Sequence, residues 1–157
     1  MLKVTEKHLA AIRAHGSRTY PAECCGILLG HASDEQRVVT EVVPLRNLRH
    51  DPQRAQALLP LEEPGRESER NRFLIDPQDQ LRVENDARAR QLTVLGYYHS
   101  HPDHPARPSR YDQEHAWPWY SYVILSVEQG VARELNCWVL AEDRSHFDRQ
   151  SVKIVNP

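Results

Sequence analysis

A short apolar run near the N-terminus restricts the fold more than any other feature of the sequence. Residues 24–30 read CCGILLG and include no charged or strongly polar side chain. A strand with one face in solvent would alternate apolar and polar residues, whereas a short continuous run is typical of a strand buried on both faces. We therefore predict a strand here that has other elements packed on both of its sides.

The segments on either side of this run predict a helix and a second strand. Thr5 can cap a helix over residues 5–15, Leu9 and Ile12 lie three residues apart on one face, and Gly16 is expected to end it. Residues 37–45, RVVTEVVPL, are rich in β-branched residues and predict a strand paired with the buried run as a hairpin.

The second half of the chain returns to helices and strands. Asp76-Pro77 supplies a cap and a first-turn proline for a helix to about Gln91, with Leu81 and Ala87 facing the core. A short helix is expected from Ser109 onward. Strands are predicted at 93–99, 120–127, 133–141 and 147–155, the last two as antiparallel neighbours. This order indicates an α+β fold, or an α/β fold with a mixed sheet.

Length and composition narrow the class of protein. At 157 residues the chain fits a single domain, 1–157, in which the proline-rich and charged stretch 51–72 is expected to be a long surface loop. A net charge of −2 argues against a protein that lives mainly on nucleic-acid phosphates.

The sequence also indicates where the protein works. It has no run of about 18 apolar residues, so we expect no membrane span, and its first residues do not resemble a signal peptide. Three cysteines, two of them adjacent at Cys24 and Cys25, make a poor disulfide framework. We therefore expect a reducing, cytoplasmic location. A homodimer is compatible with the sequence.

The chemistry is concentrated in one segment, His99-Ser100-His101-Pro102 followed by Ser109-Arg110-Tyr111-Asp112. Alternate residues of a strand face the same side, so His99 and His101 can direct both imidazoles at one point. Asp112, in the first turn of the next helix, would be the third ligand. Two imidazoles, one carboxylate and a position open to water are typical of a hydrolytic zinc site.

Such a site also needs a base and a group that stabilises the oxyanion. Glu23 immediately precedes the buried run, where a charge is costly to bury without a partner, and is the candidate general base. The hydroxyl of Ser109 could donate a hydrogen bond to the oxyanion of a tetrahedral intermediate.

These residues resemble a known motif. His-x-His, seven residues, Ser, two residues and Asp, with an upstream Glu, resembles the JAMM (MPN+, JAB/Mov34) metalloprotease motif, and PAECCGILLG and RFLIDP resemble segments of its bacterial single-domain members. The resemblance runs from Leu2 to about Val139. It implies a cytidine-deaminase-like MPN/JAB fold, a curved, mostly antiparallel sheet flanked by helices.

The resemblance also implies an activity. It implies a zinc-dependent peptidase or isopeptidase that cuts after the C-terminal tail of a ubiquitin-like or sulfur-carrier β-grasp protein. In that enzyme His99, His101 and Asp112 bind Zn²⁺, Glu23 is the base and Ser109 assists the oxyanion.

Other interpretations of the same residues stay open. Ser109-x-x-Asp112 is also a helix capping box, and Glu23 could be a salt-bridged carboxylate at a strand edge. A cysteine nucleophile would make a thiol hydrolase. His104 and His115 could be spare ligands. The whole chain could be a non-catalytic binding or scaffold module that keeps structural zinc.

Overall fold

The computed structural model describes residues 1–51, 53 and 73–157, so most of the loop predicted over 51–72 lies outside the described residues. The described helices are α1 Glu6–Thr19, α2 Pro77–Ala89 and α3 Arg110–His115, with a 3₁₀ turn at Leu48–His50. The strands are β1 Leu2–Val4, β2 Cys25–Ala32, β3 Arg37–Leu45, β4 Thr93–Pro102, β5 Ser121–Glu128, β6 Val131–Leu140, β7 Phe147–Gln150 and β8 Val152–Ile154. Within this part of the chain, no helix is both long and apolar enough to cross a membrane.

The strands form one mixed, strongly curved sheet in the order β7-β6-β5-β4-β2-β3-β1-β8. Its terminal strands, β7 and β8, are separated in the chain only by Ser151, so the sheet must curve until its two ends meet. Antiparallel pairs predominate, but β4 runs parallel to β5, and β1 runs parallel to both β3 and β8. The expected α+β fold with a mixed sheet is confirmed.

Strand β2 is buried on both faces, as its composition predicts. Leu28 packs into the cluster beneath α1, together with Leu9 and Ile12 of that helix. Ile27 points the other way and packs into the cluster beneath α2. Each fully buried aliphatic side chain of this kind contributes about 1.5–3 kcal/mol to stability. The two helices therefore cover opposite faces of the sheet, with β2 and β4 between them.

The end of α1 differs from the prediction. Gly16 does not end the helix, which continues to Thr19. A Cβ atom at position 16 would lie 2.5 Å from Cδ2 of Leu125, a fully buried residue of β5. The glycine therefore allows the helix to approach the sheet closely, and it is not a helix stop.

The inward face of α2 also differs from the prediction. Ala87 is buried as expected, but Leu81 is 57% exposed and Val83 takes the core position. The buried face follows Asp79, Val83 and Ala87, which are four residues apart, and Leu81 lies off this line. Asp79 can occupy the buried face because Arg46 pairs with it at 3.1 Å.

The strand predicted over 147–155 is two strands. Residues 147–150 pair antiparallel with β6 as expected, whereas 152–154 pair with β1. Between them the carbonyl of Ser151 accepts a hydrogen bond from the N–H of Leu2 at 2.8 Å. At Ser151 the chain thus passes from one end of the sheet to the other. Strand β1, with which residues 152–154 pair, is only three residues long, and no pattern in the sequence predicts it.

Candidate metal centre

Strand β4 carries both histidines of the motif. His99 and His101 are two residues apart, so their side chains leave the same face of the strand. The backbone of His99 is paired with Cys25 of β2 on one side and with Ile124 of β5 on the other. Both residues are buried: 2% of the surface of His99 and 8% of that of His101 are exposed. A central strand thus holds two nitrogen donors in a fixed orientation.

Helix α3 brings Asp112 to these imidazoles. Ser109 caps the helix: its hydroxyl accepts from the N–H of Asp112 at 3.1 Å, and the Asp112 carboxylate accepts from the N–H of Ser109 at 2.8 Å. One carboxylate oxygen lies 3.1 Å from Nε2 of His99, and the other lies 3.2 Å from Nε2 of His101. The capping box therefore directs the carboxylate at both imidazoles, so the cap does not compete with a role at the metal.

The spacing of these atoms suits a tetrahedral metal ion. The two Nε2 atoms of His99 and His101 lie 3.1 Å apart, and each lies 3.1–3.2 Å from one oxygen of Asp112. Donors about 2.0–2.1 Å from a tetrahedral zinc ion lie roughly 3.3 Å from one another. Two imidazole nitrogens and a carboxylate oxygen are also donor types that zinc takes in hydrolytic sites. The residues present therefore fit zinc.

Contacts behind the imidazoles orient them. Nδ1 of His101 lies 2.9 Å from the carbonyl oxygen of Pro105. Because a carbonyl can only accept, Nδ1 carries the proton and Nε2 keeps its lone pair for a metal. The ring of His99 stacks on Phe73, with 4.8 Å between ring centroids. The sequence predicts neither contact, although Phe73 belongs to the RFLIDP segment, because each contact joins segments that only the fold brings together.

The carboxyl group of Asp112 is held in its charged form. Burial raises its pKa, but electrostatic and hydrogen-bonding interactions with the neighbouring imidazoles of His99 and His101 outweigh burial and hold the pKa well below its ordinary value. An ionised carboxylate is the form that binds a metal.

Glu23 lies at the same centre, in the segment that leads into β2. Only 2% of the residue is exposed, and its carboxylate and the ring nitrogens of His99 and His101 all lie within 4.8 Å of one another. A buried carboxylate at this place can bind a metal or exchange a proton with water beside it. The structure thus brings together all five residues that the motif singled out.

Asn47 positions the backbone beside Glu23 and has no signal in the sequence. Its Nδ2 donates to the carbonyl oxygen of Glu23 at 3.0 Å. Its Oδ1 accepts from the backbone N–H of Leu74, also at 3.0 Å. One buried amide therefore ties the segment that carries Glu23 to the segment that carries Phe73.

A cleft of about 330 Å³ opens onto the centre, and Glu23, His101 and Ser109 contribute to its lining. The hydroxyl of Ser109 accepts the capping bond from Asp112, but its own proton has no acceptor among the residues that the structure describes. That proton is therefore available to a ligand in the cleft.

The cysteines do not have the character of nucleophiles. Cys24 and Cys25 are buried, and neither is more than 1% exposed. Burial raises the pKa of Cys24 to about 11 and raises the pKa of Cys25 as well. A protonated, inaccessible thiol is inert, which removes the physical basis for a thiol hydrolase.

The two spare histidines lie outside the group of donor atoms just described. His115 stacks on Tyr111 at 3.9 Å between centroids, and its Nδ1 lies 2.9 Å from the Tyr111 carbonyl oxygen. His104 lines the cleft, and its carbonyl oxygen accepts a hydrogen bond from Ser126.

A second recess reaches the centre past His99 and Asp112. These two residues line a cavity of about 50 Å³, and several of its other residues also line an open groove of about 760 Å³. The groove is mostly aromatic, and its aromatic side chains are Phe73, Tyr97, Tyr111, His115, Trp117, Tyr120 and Tyr122. The centre is thus open to two recesses of different chemistry.

Two curated proteins share much of this sequence. The desampylase of Haloferax volcanii is 32% identical over 68% of this chain and 63% of its own length. A probable TtuB-protein conjugate cleaving protease of Thermus thermophilus is 30% identical over 82% of this chain and 72% of its own length. The chain therefore spans less than two thirds of the desampylase.

Solved structures and a family model agree with these similarities. A solution structure of a protein from Desulfitobacterium hafniense matches all of this chain and 94% of its own, with 29% identity and a TM-score of 0.78. A JAB1/MPN domain protein from Archaeoglobus fulgidus, 16% identical, shares the fold over 99% of this chain and 98% of its own, with a TM-score of 0.55. The family model for prokaryotic homologs of the JAB domain matches residues 5–141. The chain belongs to this family, the prokaryotic branch of the JAMM/MPN+ proteins.

Proposed function

We propose that this protein is a zinc-dependent peptidase or isopeptidase that cuts after the C-terminal tail of a ubiquitin-like or sulfur-carrier protein. The observation that carries the proposal is the convergence of the donor atoms of His99, His101 and Asp112 beside the buried carboxylate of Glu23. A module that only binds partners has no need of a base beside three metal ligands.

The metal would be held by His99, His101 and Asp112. Zinc bound there would act as a Lewis acid that lowers the pKa of water toward about 7 and polarises a carbonyl group. The carboxylate of Glu23 takes a proton from the attacking water and later gives it to the leaving amine. Glu23 is placed for this exchange, because its carboxylate lies within 4.8 Å of the ring nitrogens of His99 and His101.

Ser109 would stabilise the negative charge that develops on the carbonyl oxygen. Its hydroxyl is fixed by the capping bond from Asp112 and still has its proton to donate. A donor that is already positioned before the charge develops lowers the barrier without reorganisation, and removing one typically costs about 100-fold to 1000-fold in kcat.

The substrate class rests on the relatives. One is named a desampylase and the other a probable TtuB-protein conjugate cleaving protease, and both names describe removal of a small protein modifier. We therefore infer a ubiquitin-like or sulfur-carrier β-grasp protein as the partner. The three cysteines are free and buried, which suits action in the reducing cytoplasm.

The substitution Glu23→Gln tests the proposal. The variant should still bind about one zinc ion per chain, because the three proposed ligands remain, but it should hydrolyse a ubiquitin-like fusion at least about 1000-fold more slowly. Zinc is measured by elemental analysis and cleavage by intact mass.

Glu142→Gln is the matched control, because Glu142 is exposed and should leave both properties unchanged. Full activity of Glu23→Gln would exclude the role of Glu23 as base. A wild-type protein that binds no zinc after loading would contradict the proposed function altogether.

A further inference from the structure

The proposed mechanism assigns the two recesses to opposite sides of the bond that is cut. Glu23 must lie beside the leaving amine in order to protonate it, and Glu23 lines the 330 Å³ cleft. The leaving group therefore occupies this cleft. The acyl part of the substrate then extends past His99 and Asp112 toward the aromatic groove. This assignment rests on the proposed function.

The wall of the cleft is a proline-rich loop, 102–109, that is held rigidly. Side chains from β4, β5 and β6 hydrogen-bond to three successive carbonyl groups of this loop. These bonds join Ser126 to the carbonyl of His104 at 2.7 Å, His101 to that of Pro105 at 2.9 Å, and Asn136 and Trp138 to that of Ala106 at 3.2 and 3.1 Å. Ala106 is buried as a result. The residue that follows it is therefore presented to the cleft from a fixed backbone.

That residue is Arg107, and its charge has no partner among the residues that the structure describes. Of the described residues that line the cleft, it is the one lysine or arginine. Its side chain is exposed and makes no hydrogen bond or ion pair with any residue in the described part of the chain. A guanidinium group binds carboxylates through two parallel hydrogen bonds, so a leaving group with a carboxylate near its amine would match it.

We propose that Arg107 selects the leaving group by binding the α-carboxylate of a single amino acid at the C-terminus of the substrate. In an amino acid this carboxylate is separated from the amine by one carbon atom, so it reaches the cleft whenever the amine lies beside Glu23. An isopeptide-linked lysine carries no carboxylate close to its ε-amine. Arg107 therefore favours removal of a terminal residue over release of a conjugated protein.

The reaction is simple hydrolysis in both cases. The amide C–N bond breaks, and the oxygen of water forms a bond to the carbonyl carbon. One proton of the water stays with the new carboxyl group, and the other goes to the amine. Arg107 takes no part in these transfers. It acts on binding and should affect KM more than kcat.

The test uses the zinc-loaded protein and a small β-grasp protein that ends in Gly-Gly followed by one alanine, made with a free carboxylate or with a terminal amide. For the wild type we expect kcat/KM to be about tenfold higher on the free carboxylate, since a charge-assisted hydrogen bond to an exposed group is worth about one order of magnitude. Arg107→Gln should lose this preference through KM and cleave the amide as the wild type does. Arg107→Lys should restore part of the preference.

Arg133→Gln is the matched control, since Arg133 is an exposed arginine that does not line the cleft. If the wild type cleaves both substrates equally, or if Arg107→Gln slows both equally, the proposed role of Arg107 is wrong. The proposed hydrolase function is not contradicted by either result. Equal cleavage of an amidated substrate ending in aspartate would also overturn it, because a side-chain carboxylate would then serve as well. Hydrolysis of none of the substrates would contradict the proposed function itself.

Discussion

At the scale of single residues, Asp112 combines two tasks that are usually separate. One of its oxygens accepts the hydrogen bond from the N–H of Ser109 that starts α3, and the same carboxylate faces Nε2 of both His99 and His101. The start of the helix and the metal centre therefore depend on one side chain. An asparagine can cap the helix in place of Asp112 but cannot serve equally at the metal centre, because its amide oxygen accepts hydrogen bonds but carries no charge.

We therefore expect Asp112→Asn to separate the two tasks. The variant should keep its fold, with an apparent Tm without zinc close to that of the wild type without zinc. It should bind zinc much more weakly and lose more than about 100-fold in activity, because a direct ligand is lost and even supporting residues cost 10-fold to 100-fold. Circular dichroism and elemental analysis measure the two effects. Full zinc content in Asp112→Asn would show that this carboxylate is not a ligand.

At the scale of elements, patterns within a few residues of one another predicted the structure well, and contacts between distant segments did not follow from them. The unbroken apolar run of β2 and the spacing of His99, His101, Ser109 and Asp112 are local, so the strand and the main residues of the centre could be read from the sequence. The contact of Asn47 with Glu23 joins residues 24 positions apart, and no periodicity marks it. The prediction that Gly16 ends α1 is wrong for the same reason, since Leu125, the residue that the glycine approaches, is on β5.

A second contact between distant elements connects α1 to β4. Nδ1 of His15 lies 2.7 Å from the hydroxyl oxygen of Tyr98, the fully buried residue that precedes His99. Burial lowers the pKa of His15, and the charge of Arg18 lowers it further. The folded protein therefore binds fewer protons at this site than the unfolded chain does once the pH falls below about 6.5.

The sign of this difference gives a prediction. The unfolded state gains the proton first, so His15 should reduce the free energy of unfolding as the pH falls below about 6.5. His15→Gln should weaken that dependence, whereas the exposed His31→Gln should preserve it. Urea unfolding between pH 7.5 and 5, with chelator present so that metal binding adds no dependence of its own, measures both. A pH-independent difference between wild type and His15→Gln would contradict the assignment.

At the scale of the whole molecule, the curved sheet and the metal centre depend on each other. The sheet closes because β7 and β8 are consecutive in the chain, and this closure leaves β4 between β2 and β5 with its histidines directed at α3. Helix α3 is only six residues long and is joined to β4 by the proline-rich loop. Isolated helices of this length are unstable in water, so its position depends on such contacts. A metal held by both elements would link them directly.

Removal of the metal should therefore lower the stability of the folded protein. Zinc at about 100 times its Kd adds about 2.7 kcal/mol to the free energy of unfolding, which corresponds to roughly 5–10 °C in Tm for a chain of this size. We expect a chelator to lower the Tm of the zinc-loaded wild type by this amount and to leave His101→Ala unchanged. His31→Ala, which removes an exposed histidine, should respond as the wild type does. Differential scanning calorimetry with and without chelator measures the shift, and an equal Tm in samples shown to differ in zinc content would mean that the ion does not connect β4 to α3.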